Sequence, residues 1–575
     1  MPLHQWDYLF AFGTIWAALD AYNIGANDVA NSFATSVASK SLTMRQACVA
    51  AGICEFLGAV LVGARVSGTI KNGIIDLAAF QDNAGVQLLG FTCAIMASGT
   101  WLMIATYNSW TVSTTYSIVS SLIGVGIATG GGDAVQWGWN GGKGVATIFA
   151  GFLIAPGISA SFAAVVFLIT KYAVLVRKDS TRAGLYIIPF FFFAVASILT
   201  MSIIYKGAPS LNIDEFSPNI TAAIILGTGA GVATIAALFW LPFVHARVVK
   251  QDYTLKFYHM ALGPLLWSRP APADAGSREA VPDYAIRARN QNDDVSDRKP
   301  TQDAEKAQND DHSDEKASHR SSEAAHPELP KDAPLQEVDA HPIDGPWVLP
   351  KNLYIIARYK ALPFLKKILL HGSSVDINAL QSEKGTKDEA RMAEIHSRAK
   401  MYDNKTEHLF SFLQVMTACT ASFAHGSNDV SNAIGPYSAI YEVWSTSLPV
   451  GKNTPIPVWM LAFGGAMIVV GLATYGYNIM RILGNRMTLM SPSRGFSMEL
   501  GASITVLLAS QFGIPVSSTM CITGATLGVA MCNGDLGAYN WRGLAWIFSG
   551  WVLTVPIASI SAGCLMGILL NAPSL

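Results

Sequence analysis

Two short polar segments recur within apolar surroundings of this sequence. The first occupies residues 25–31 (GANDVAN) and the second occupies residues 426–432 (GSNDVSN), with identity at five of seven positions. Carboxylate and amide oxygens are hard ligands that suit a small cation. The sequence therefore predicts a cation site, and its candidate ligands are Asn27, Asp28, Asn428 and Asp429.

A second pair of motifs follows, at residues 111–117 (TVSTTYS) and 515–521 (PVSSTMC). Hydroxyl side chains ahead of Gly-rich apolar residues favour a re-entrant turn that brings a helix N-terminus into the membrane. Such a terminus binds anions, and hydroxyls donate hydrogen bonds without adding charge. The alternative is hydroxyls that bond back to the carbonyls of ordinary spans. Two facing copies indicate a tetrahedral oxyanion between two helix N-termini. Its candidate ligands are Ser113, Thr114, Thr115, Ser517, Ser518 and Thr519, with Asn27 and Asn428 beside them.

Two further acids, Glu55 and Glu499, lie in otherwise apolar runs. Placing a carboxylate inside a membrane costs at least about 2 to 3 kcal/mol of free energy. Each of these acids is therefore predicted to be functional, with a role in ion coupling. The alternative for Glu499 is a position at the membrane interface, because Arg494 is close in sequence. Asp20 and His425 are expected to line the same cavity, and Arg65 to lie near the end of a span.

The 25–31 and 426–432 motifs are expected to interrupt their helices. Gly costs backbone entropy in a helix, and Asn and Asp compete for backbone hydrogen bonds. Broken helices within a bilayer are tolerated where they line a protein-enclosed or watery cavity. The alternative for each copy is a helix C-terminus followed by an Asn that caps the next helix. Two copies in related halves favour the binding site.

Composition places these motifs in a membrane protein. The 575 residues are 51% hydrophobic and 14% charged, with a mean hydropathy of +0.34, whereas soluble proteins carry about 25% charged residues. This excludes a soluble globular protein. The net charge of −1 indicates no nucleic-acid partner, and the seven cysteines lack disulfide or metal-ligand spacing. We therefore expect an all-α polytopic membrane protein in a lipid bilayer.

Hydropathy predicts about twelve transmembrane helices. Seven precede a long polar insert, at residues 8–24, 46–66, 86–106, 117–130, 145–170, 184–204 and 220–244. Five follow the insert, at residues 408–424, 457–477, 498–512, 518–532 and 543–570. An odd number of crossings separates the two copies of the first motif, so they run in opposite senses. This predicts an inverted-topology repeat with broken helices and re-entrant hairpins at the midplane, the plan of secondary transporters.

Basic residues fall in alternate loops, as the positive-inside rule requires if both termini are extracellular and the insert is cytoplasmic. Asn219 then lies in an extracellular glycosylation sequon, while the sequon at Asn404 stays bare. Residues 291–340 hold 14 Asp and Glu against 6 Lys and Arg, a composition typical of disorder. The predicted segments are a membrane half at 1–260, a disordered acidic loop at 261–345, a partly helical cytoplasmic segment at 346–405 and a second membrane half at 406–575.

With GANDVANS, GSNDVSNAIGP and PVSST around a long hydrophilic loop, the sequence resembles the inorganic phosphate transporter family, the Pit-type sodium–phosphate symporters. The stretches GARVSGTIKNGIID and SPSRGFSMEL resemble its fungal branch, which acts at the plasma membrane. The resemblance covers both membrane halves, about residues 1–260 and 400–575. It implies a multi-pass homodimeric carrier that imports phosphate with sodium by alternating access and needs no cofactor.

Position by position, the resemblance implies sodium at Asp28 and Asp429, and phosphate and sodium contacts from the hydroxyls of the second motif pair. It also implies that Glu55 and Glu499 correspond to acids needed for phosphate transport. The sequence departs from the family pattern at four positions, which are Thr111, Tyr116, Met520 and Cys521. Histidine is common at two of them, and a tyrosine does not titrate near neutral pH.

Other functions remain open at this stage. Proton coupling would use Glu55 or Glu499 as a relay, and a phosphate sensor would use the same site without turnover, with the acidic loop as its output. A membrane phosphatase would need a nucleophile paired with a general acid, or a metal cluster. The eleven histidines are scattered, mostly in the polar insert, so no enzymatic activity is expected.

Overall fold

The computed structural model describes residues 5–139, 144–206, 217–276, 278–284, 345–377, 387–451 and 455–572. Across these ranges the regular structure is helical, and β-pairing is confined to isolated bridges. The predicted all-α class is confirmed.

The helices run in two series around the polar insert. Those before it are α1 (Asp7–Ile24), α2 (Ala30–Ala38), α3 (Met44–Val62), α4 (Ala64–Asn72), α5 (Ala84–Tyr107), α6 (Thr114–Gly130), α7 (Val145–Thr170), α8 (Ser180–Lys206), α9 (Pro218–Ile235), α10 (Leu241–Val248) and α11 (Leu265–Ser268). Those after it are α12 (Pro350–Ile355), α13 (Leu362–Leu369), α14 (Lys387–Arg398), α15 (Asn404–Thr446), α16 (Val458–Tyr475), α17 (Tyr477–Met480), α18 (Pro492–Gln511), α19 (Ser518–Met531) and α20 (Trp541–Asn571).

Seven of the described helical stretches are long and apolar enough to cross a membrane. They are Met44–Val62, Ala84–Tyr107, Val145–Leu175, Ser180–Ile204, Pro218–Val248, Val458–Tyr475 and Trp541–Asn571. The shorter apolar helices α6 and α19 coincide with two more predicted spans. Helices α1, α15 and α18 overlap the remaining three, and a total of twelve spans stays a prediction.

The two GAND-type motifs do not interrupt their helices, so the predicted helix breaks are wrong. The first forms a π-helical turn, Gly25–Val29, that joins α1 to α2. The second lies inside α15, an unbroken helix of 43 residues. The Asn and Asp side chains of both motifs bond to other helices or to the loops that precede them, so they do not compete for the backbone of their own helix.

The glycines of these motifs serve close helix crossings. A Cβ on Gly25 would lie 1.8 Å from the carbonyl oxygen of Ile468 in α16, and one on Gly426 would lie 2.3 Å from that of Glu55 in α3. A glycine on the opposite helix completes each crossing, because a Cβ on Gly471 or on Gly58 would also meet backbone oxygen within 2.2 Å. Both halves of the chain therefore use the same kind of crossing beside their motif.

The predicted helix N-termini are present at the second motif pair. Ser113 and Ser517 have extended backbone and precede α6 and α19. Each side-chain oxygen accepts a hydrogen bond from the backbone N–H three residues later, at 3.2 and 3.3 Å, which is the usual N-cap contact.

The predicted disordered loop begins too early. Lys250 donates to the backbone carbonyl of Arg269 at 2.7 Å, and Arg269 donates to the Asp252 carboxylate at 2.7 Å. Burial acts to raise the pKa of Asp252, but hydrogen bonds from Thr254 and Arg269 hold it below the usual value. The backbone N–H of Tyr284 donates to Asn404 at 2.9 Å. The chain is thus described to residue 284 except for residue 277, and the rest of the predicted loop, 285–344, lies outside the described residues.

Candidate cation and anion site

Two carboxylates from the two halves of the chain meet in the buried interior. Asp28 belongs to the π turn and Asp429 to the middle of α15, and neither is more than 1% exposed. One ligand atom from each of them and from His425 lies within 4.8 Å of the other two. Three potential ligands thus converge at one point. Two of them, Asp28 and Asp429, are cation ligands that the sequence predicted.

Helix starts from both halves hold Asp28. The hydroxyl groups of Thr114, at the start of α6, and Thr519, in the first turn of α19, donate to its carboxylate. The backbone N–H of Thr114 lies 3.4 Å from the same group. Positive helix ends and hydroxyl donors therefore surround this acid.

Asp429 has the corresponding arrangement. Ser518 donates to its carboxylate at 2.7 Å, and Thr115 approaches it at 3.5 Å. Each aspartate thus contacts a hydroxyl of its own half and a hydroxyl of the other half. The predicted ligands Thr114, Thr115, Ser518 and Thr519 are all brought to this centre.

The last residue of each motif, which the sequence analysis did not select, also reaches the centre. Asn31 donates to the Thr519 hydroxyl at 2.6 Å. Asn432 donates to the Thr114 and Thr115 hydroxyls at 3.0 and 3.1 Å. Their signal in the sequence is that both copies of the motif end in asparagine.

Asn27 and Asn428 brace the turns before the helix starts. Asn27 donates to Thr106 and to the carbonyl of Trp110, and Asn428 donates to the carbonyl of Val516 at 2.7 Å. The oxygen of Asn27 accepts from the backbone N–H of Val112 at 3.3 Å, so this side chain is used in holding its loop. Asn428 also donates to Asp429 at 2.7 Å, and its oxygen remains as a potential ligand.

Several amide oxygens at the centre have no hydrogen-bond partner although they are buried. They are Oδ1 of Asn31, Asn428 and Asn432. Buried acceptors without partners are rare in folded proteins and call for an explanation such as a bound ion. Together with the two carboxylates they supply the hard oxygen ligands that a small cation needs.

Glu55 reaches this centre through a histidine. Its carboxylate accepts from Ser422 at 2.9 Å and lies 3.0 Å from Nδ1 of His425. Nε2 of the same imidazole lies 2.7 Å from the carboxylate of Asp429. Glu55 is therefore a neighbour of the cation ligands but does not contact the point between the aspartates.

Glu499 lies in a separate cage of polar groups. It accepts hydrogen bonds from Thr35 and Ser36 at 2.6 Å, from Thr417 at 2.7 Å and from Gln414 at 3.2 Å. Its side chain is fully buried, so it does not extend outwards to the surface of the protein, and its depth in the membrane stays a prediction.

The remaining candidates make other contacts. Asp20 accepts from Ser98 at 2.9 Å. Arg65 is exposed and donates to the carbonyl of Gln511. Asn219 is exposed in the first turn of α9, and its glycosylation stays a prediction.

Comparisons with a family model and with individual proteins agree with one another. A family model described as the phosphate transporter family matches residues 24–562. The chain is 44% identical over 598 residues to the phosphate-repressible phosphate permease pho-4 of Neurospora crassa, covering 100% of this chain and 99% of the relative. It is 30% identical to sodium-dependent phosphate transporter 2 of Xenopus laevis, covering 94% of each chain.

A solved structure described as the sodium-dependent phosphate transporter has a similar fold. It superposes with a TM-score of 0.59 at 22% sequence identity, covering 98% of this chain and 100% of that chain. The likeness supports the helical fold described above.

Proposed function

Because the chain belongs to the phosphate transporter family, we propose that it imports inorganic phosphate together with sodium ions. The observation that carries this proposal is the meeting of Asp28 and Asp429 among the hydroxyls of two helix starts. Carboxylates and unpartnered amide oxygens suit a sodium ion, and helix N-termini suit an oxyanion.

Cation and anion would stabilise each other in this arrangement. Without sodium, phosphate would face two carboxylates in a site of low dielectric constant, and the like-charge repulsion would prevent binding. Sodium bound at Asp28 and Asp429 removes that penalty, so phosphate binding depends on sodium. The hydroxyls of Thr114, Thr115, Ser518 and Thr519 donate to the two carboxylates in the structure. Once sodium neutralises the carboxylates, these hydroxyls would donate to phosphate instead. Ser113 and Ser517 cap those helix starts and would contribute to phosphate binding by holding them in place.

Transport would proceed by alternating access of two inverted halves. The matched crossings at Gly25 with Gly471 and at Gly426 with Gly58 support two related halves, and rocking one half against the other would expose the site to each side in turn. We propose twelve spans, both termini outside, a homodimer, and insertion in the plasma membrane. Each net positive charge moved inward would draw about 2.3 kcal/mol from 100 mV of membrane potential.

Uptake of radiolabelled phosphate into proteoliposomes tests the proposal. At fixed pH, an inward sodium gradient is compared with an equal choline gradient, and protein-free liposomes serve as the control. We expect uptake with sodium only. Equal uptake with choline would overturn sodium coupling.

Proton coupling is the second candidate, and one observation favours it. Glu55, His425 and Asp429 form a buried row in which an imidazole lies between two carboxylates, an arrangement that can pass a proton. Uptake that is the same with choline and is abolished when a proton gradient is collapsed would support this candidate. The phosphate site would be unchanged, and the coupling role would move to Glu55.

A further inference from the structure

A basic pocket lies between α14, the loop at residues 482–490 and the start of α20. Its volume is about 330 Å³, and we call it the arginine pocket. Its wall includes Arg391, Arg486 and Arg542 beside Met487, Asn540 and Trp546. None of the described residues that line it is acidic, so the wall favours an anion.

The backbone around the pocket adds to this preference. Asn540, the N-cap of α20, donates to the carbonyls of Arg486 and Met487 at 3.0 and 2.9 Å. These bonds hold the loop against the N-terminal end of a helix of 31 residues, where the helix dipole is positive.

The pocket also has an apolar side at the level where a membrane span begins. Helix α20 is one of the candidate spans, and Trp541 and Trp546 near its start are 44% and 62% exposed. Exposed tryptophans near the end of a span are typical of the membrane interface. In the proposed orientation this is the cytoplasmic interface, where the leaflet is rich in anionic lipids.

The loop that forms one wall of the pocket also lies next to the transport site. Met487 lines the arginine pocket and also a small cavity that contains Asn31 and Thr35. Met490 and Tyr539 complete the wall of that cavity. A ligand in the arginine pocket would therefore contact a segment that closes the space beside Asn31.

We propose that the arginine pocket binds the phosphate-bearing headgroup of an anionic phospholipid from the cytoplasmic leaflet. The arginines contact the headgroup, and the acyl chains lie along the exposed apolar start of α20. The bound lipid stabilises the 482–490 loop and so modulates transport, a consequence that rests on the proposed function.

Binding is tested first, on the full chain in detergent. The probe is a water-soluble, short-chain phosphatidylinositol phosphate, with short-chain phosphatidylcholine as the neutral comparison, and the variant is Arg391→Gln combined with Arg542→Gln. We expect the variant to bind the anionic lipid about thirtyfold more weakly. The matched control is Arg45→Gln with Arg177→Gln, two exposed arginines on the same predicted face, which should bind as the original chain does.

Four results would overturn the lipid assignment. Three are unchanged binding by the double variant, an equal loss in the control, and displacement of the short-chain lipid by inorganic phosphate at the same concentration. The fourth is lipid binding that appears only after deletion of residues 291–340, which would identify the acidic insert as the occupant of the pocket. Arg391→Lys with Arg542→Lys, which keeps the charge, should restore most of the binding and excludes misfolding as the cause.

The effect on transport is measured separately. Phosphate uptake is compared in proteoliposomes of phosphatidylcholine with and without the anionic lipid. We expect the lipid to change the uptake rate of the original chain but not that of Arg391→Gln with Arg542→Gln. A lipid effect of equal size in both proteins would overturn the modulation. The binding result stands independently if the chain does not transport phosphate.

Discussion

Nδ1 of His425 lies 3.0 Å from the carboxylate of Glu55, and Nε2 of the same imidazole lies 2.7 Å from the carboxylate of Asp429. The first half has no corresponding pair. Ile24 precedes Gly25 as His425 precedes Gly426, and Ile468 takes the place of Glu55 at the helix crossing. Hydroxyl groups therefore hold the two aspartates in the same way. Asp429 is also paired with the imidazole of His425, which is in turn paired with Glu55.

Glu55→Gln should lower phosphate uptake at least about tenfold. The amide keeps the shape of the side chain but removes the charge that orients His425, and a hydrogen bond to a charged group contributes about 1.5 to 3 kcal/mol. Uptake per molecule of protein in proteoliposomes measures the effect. Glu279→Gln, at an exposed position, is the control and should transport normally. Normal uptake by Glu55→Gln would contradict a role for this row.

Asp28→Asn should abolish sodium-dependent uptake while the protein still reaches the membrane. The neutral amide keeps the size of the side chain and one oxygen that can accept from Thr114 or Thr519, but it no longer balances the charge of a sodium ion. Surface labelling and sodium-dependent uptake are measured together. Asp133→Asn, in an exposed turn, should leave both unchanged. A variant at position 28 with full sodium-dependent uptake would remove this aspartate from the site.

Thr519→Val should raise the sodium concentration needed for half-maximal uptake about tenfold or more. The hydroxyl donates to Asp28 and accepts from Asn31, and valine loses both bonds without a change in size. The sodium dependence of uptake is the measurement. Thr129→Val is the matched control, because the Thr129 hydroxyl bonds to the carbonyl of Val125 in its own helix. Equal sodium dependence in the two variants would argue against the predicted role.

Gly426→Ala should lower the thermal stability of the purified protein. The new Cβ would lie 2.3 Å from the carbonyl oxygen of Glu55, and relief requires the two helices to separate, at a cost of about 1 to 3 kcal/mol. The unfolding temperature in detergent is compared with that of Gly231→Ala. A Cβ on Gly231 meets no atom within 4 Å, so this control should be as stable as the original chain or slightly more. Equal stability of the two variants would contradict the crossing.

Lys71→Met should destabilise the protein by about 3 kcal/mol. Lys71 is 3% exposed and forms an ion pair with Glu442, and removal of one partner leaves a buried charge. Unfolding of Lys71→Met, Glu442→Gln and the double variant is measured. The double variant should be less affected than the sum of the single changes. Strict additivity would show that the two charges do not interact.

Duplication made much of the centre predictable. Asp28, Asp429 and the four hydroxyls around them were selected because each type occurs in both halves at similar spacing. The same motifs led to a wrong prediction of helix breaks, because helix propensity assumes that Asn and Asp side chains hydrogen-bond to their own backbone. Here those side chains bond to distant segments of the chain, and no local pattern shows this.

Single-copy features were harder to predict. His425 occurs once, and its position between Glu55 and Asp429 depends on how α3 crosses α15. Asn31 and Asn432 do repeat, but their position at the end of each motif resembled an ordinary cap. The cage around Glu499 gathers residues that are distant in sequence, so its burial follows only from the packing of both halves.

The π turn at Gly25–Val29 also fixes the rotation of α2 about its axis relative to α1. Each residue advances an α-helix by about 100°, so removal of one residue from this turn would rotate α2 by that angle relative to α1. Thr35 and Ser36 would then face away from Glu499, and Asn31 away from Thr519, while Asn27 kept its place. Single-residue deletions in this turn should therefore impair the protein far more than substitutions do. Chains with the same helix packing should have a turn of the same length.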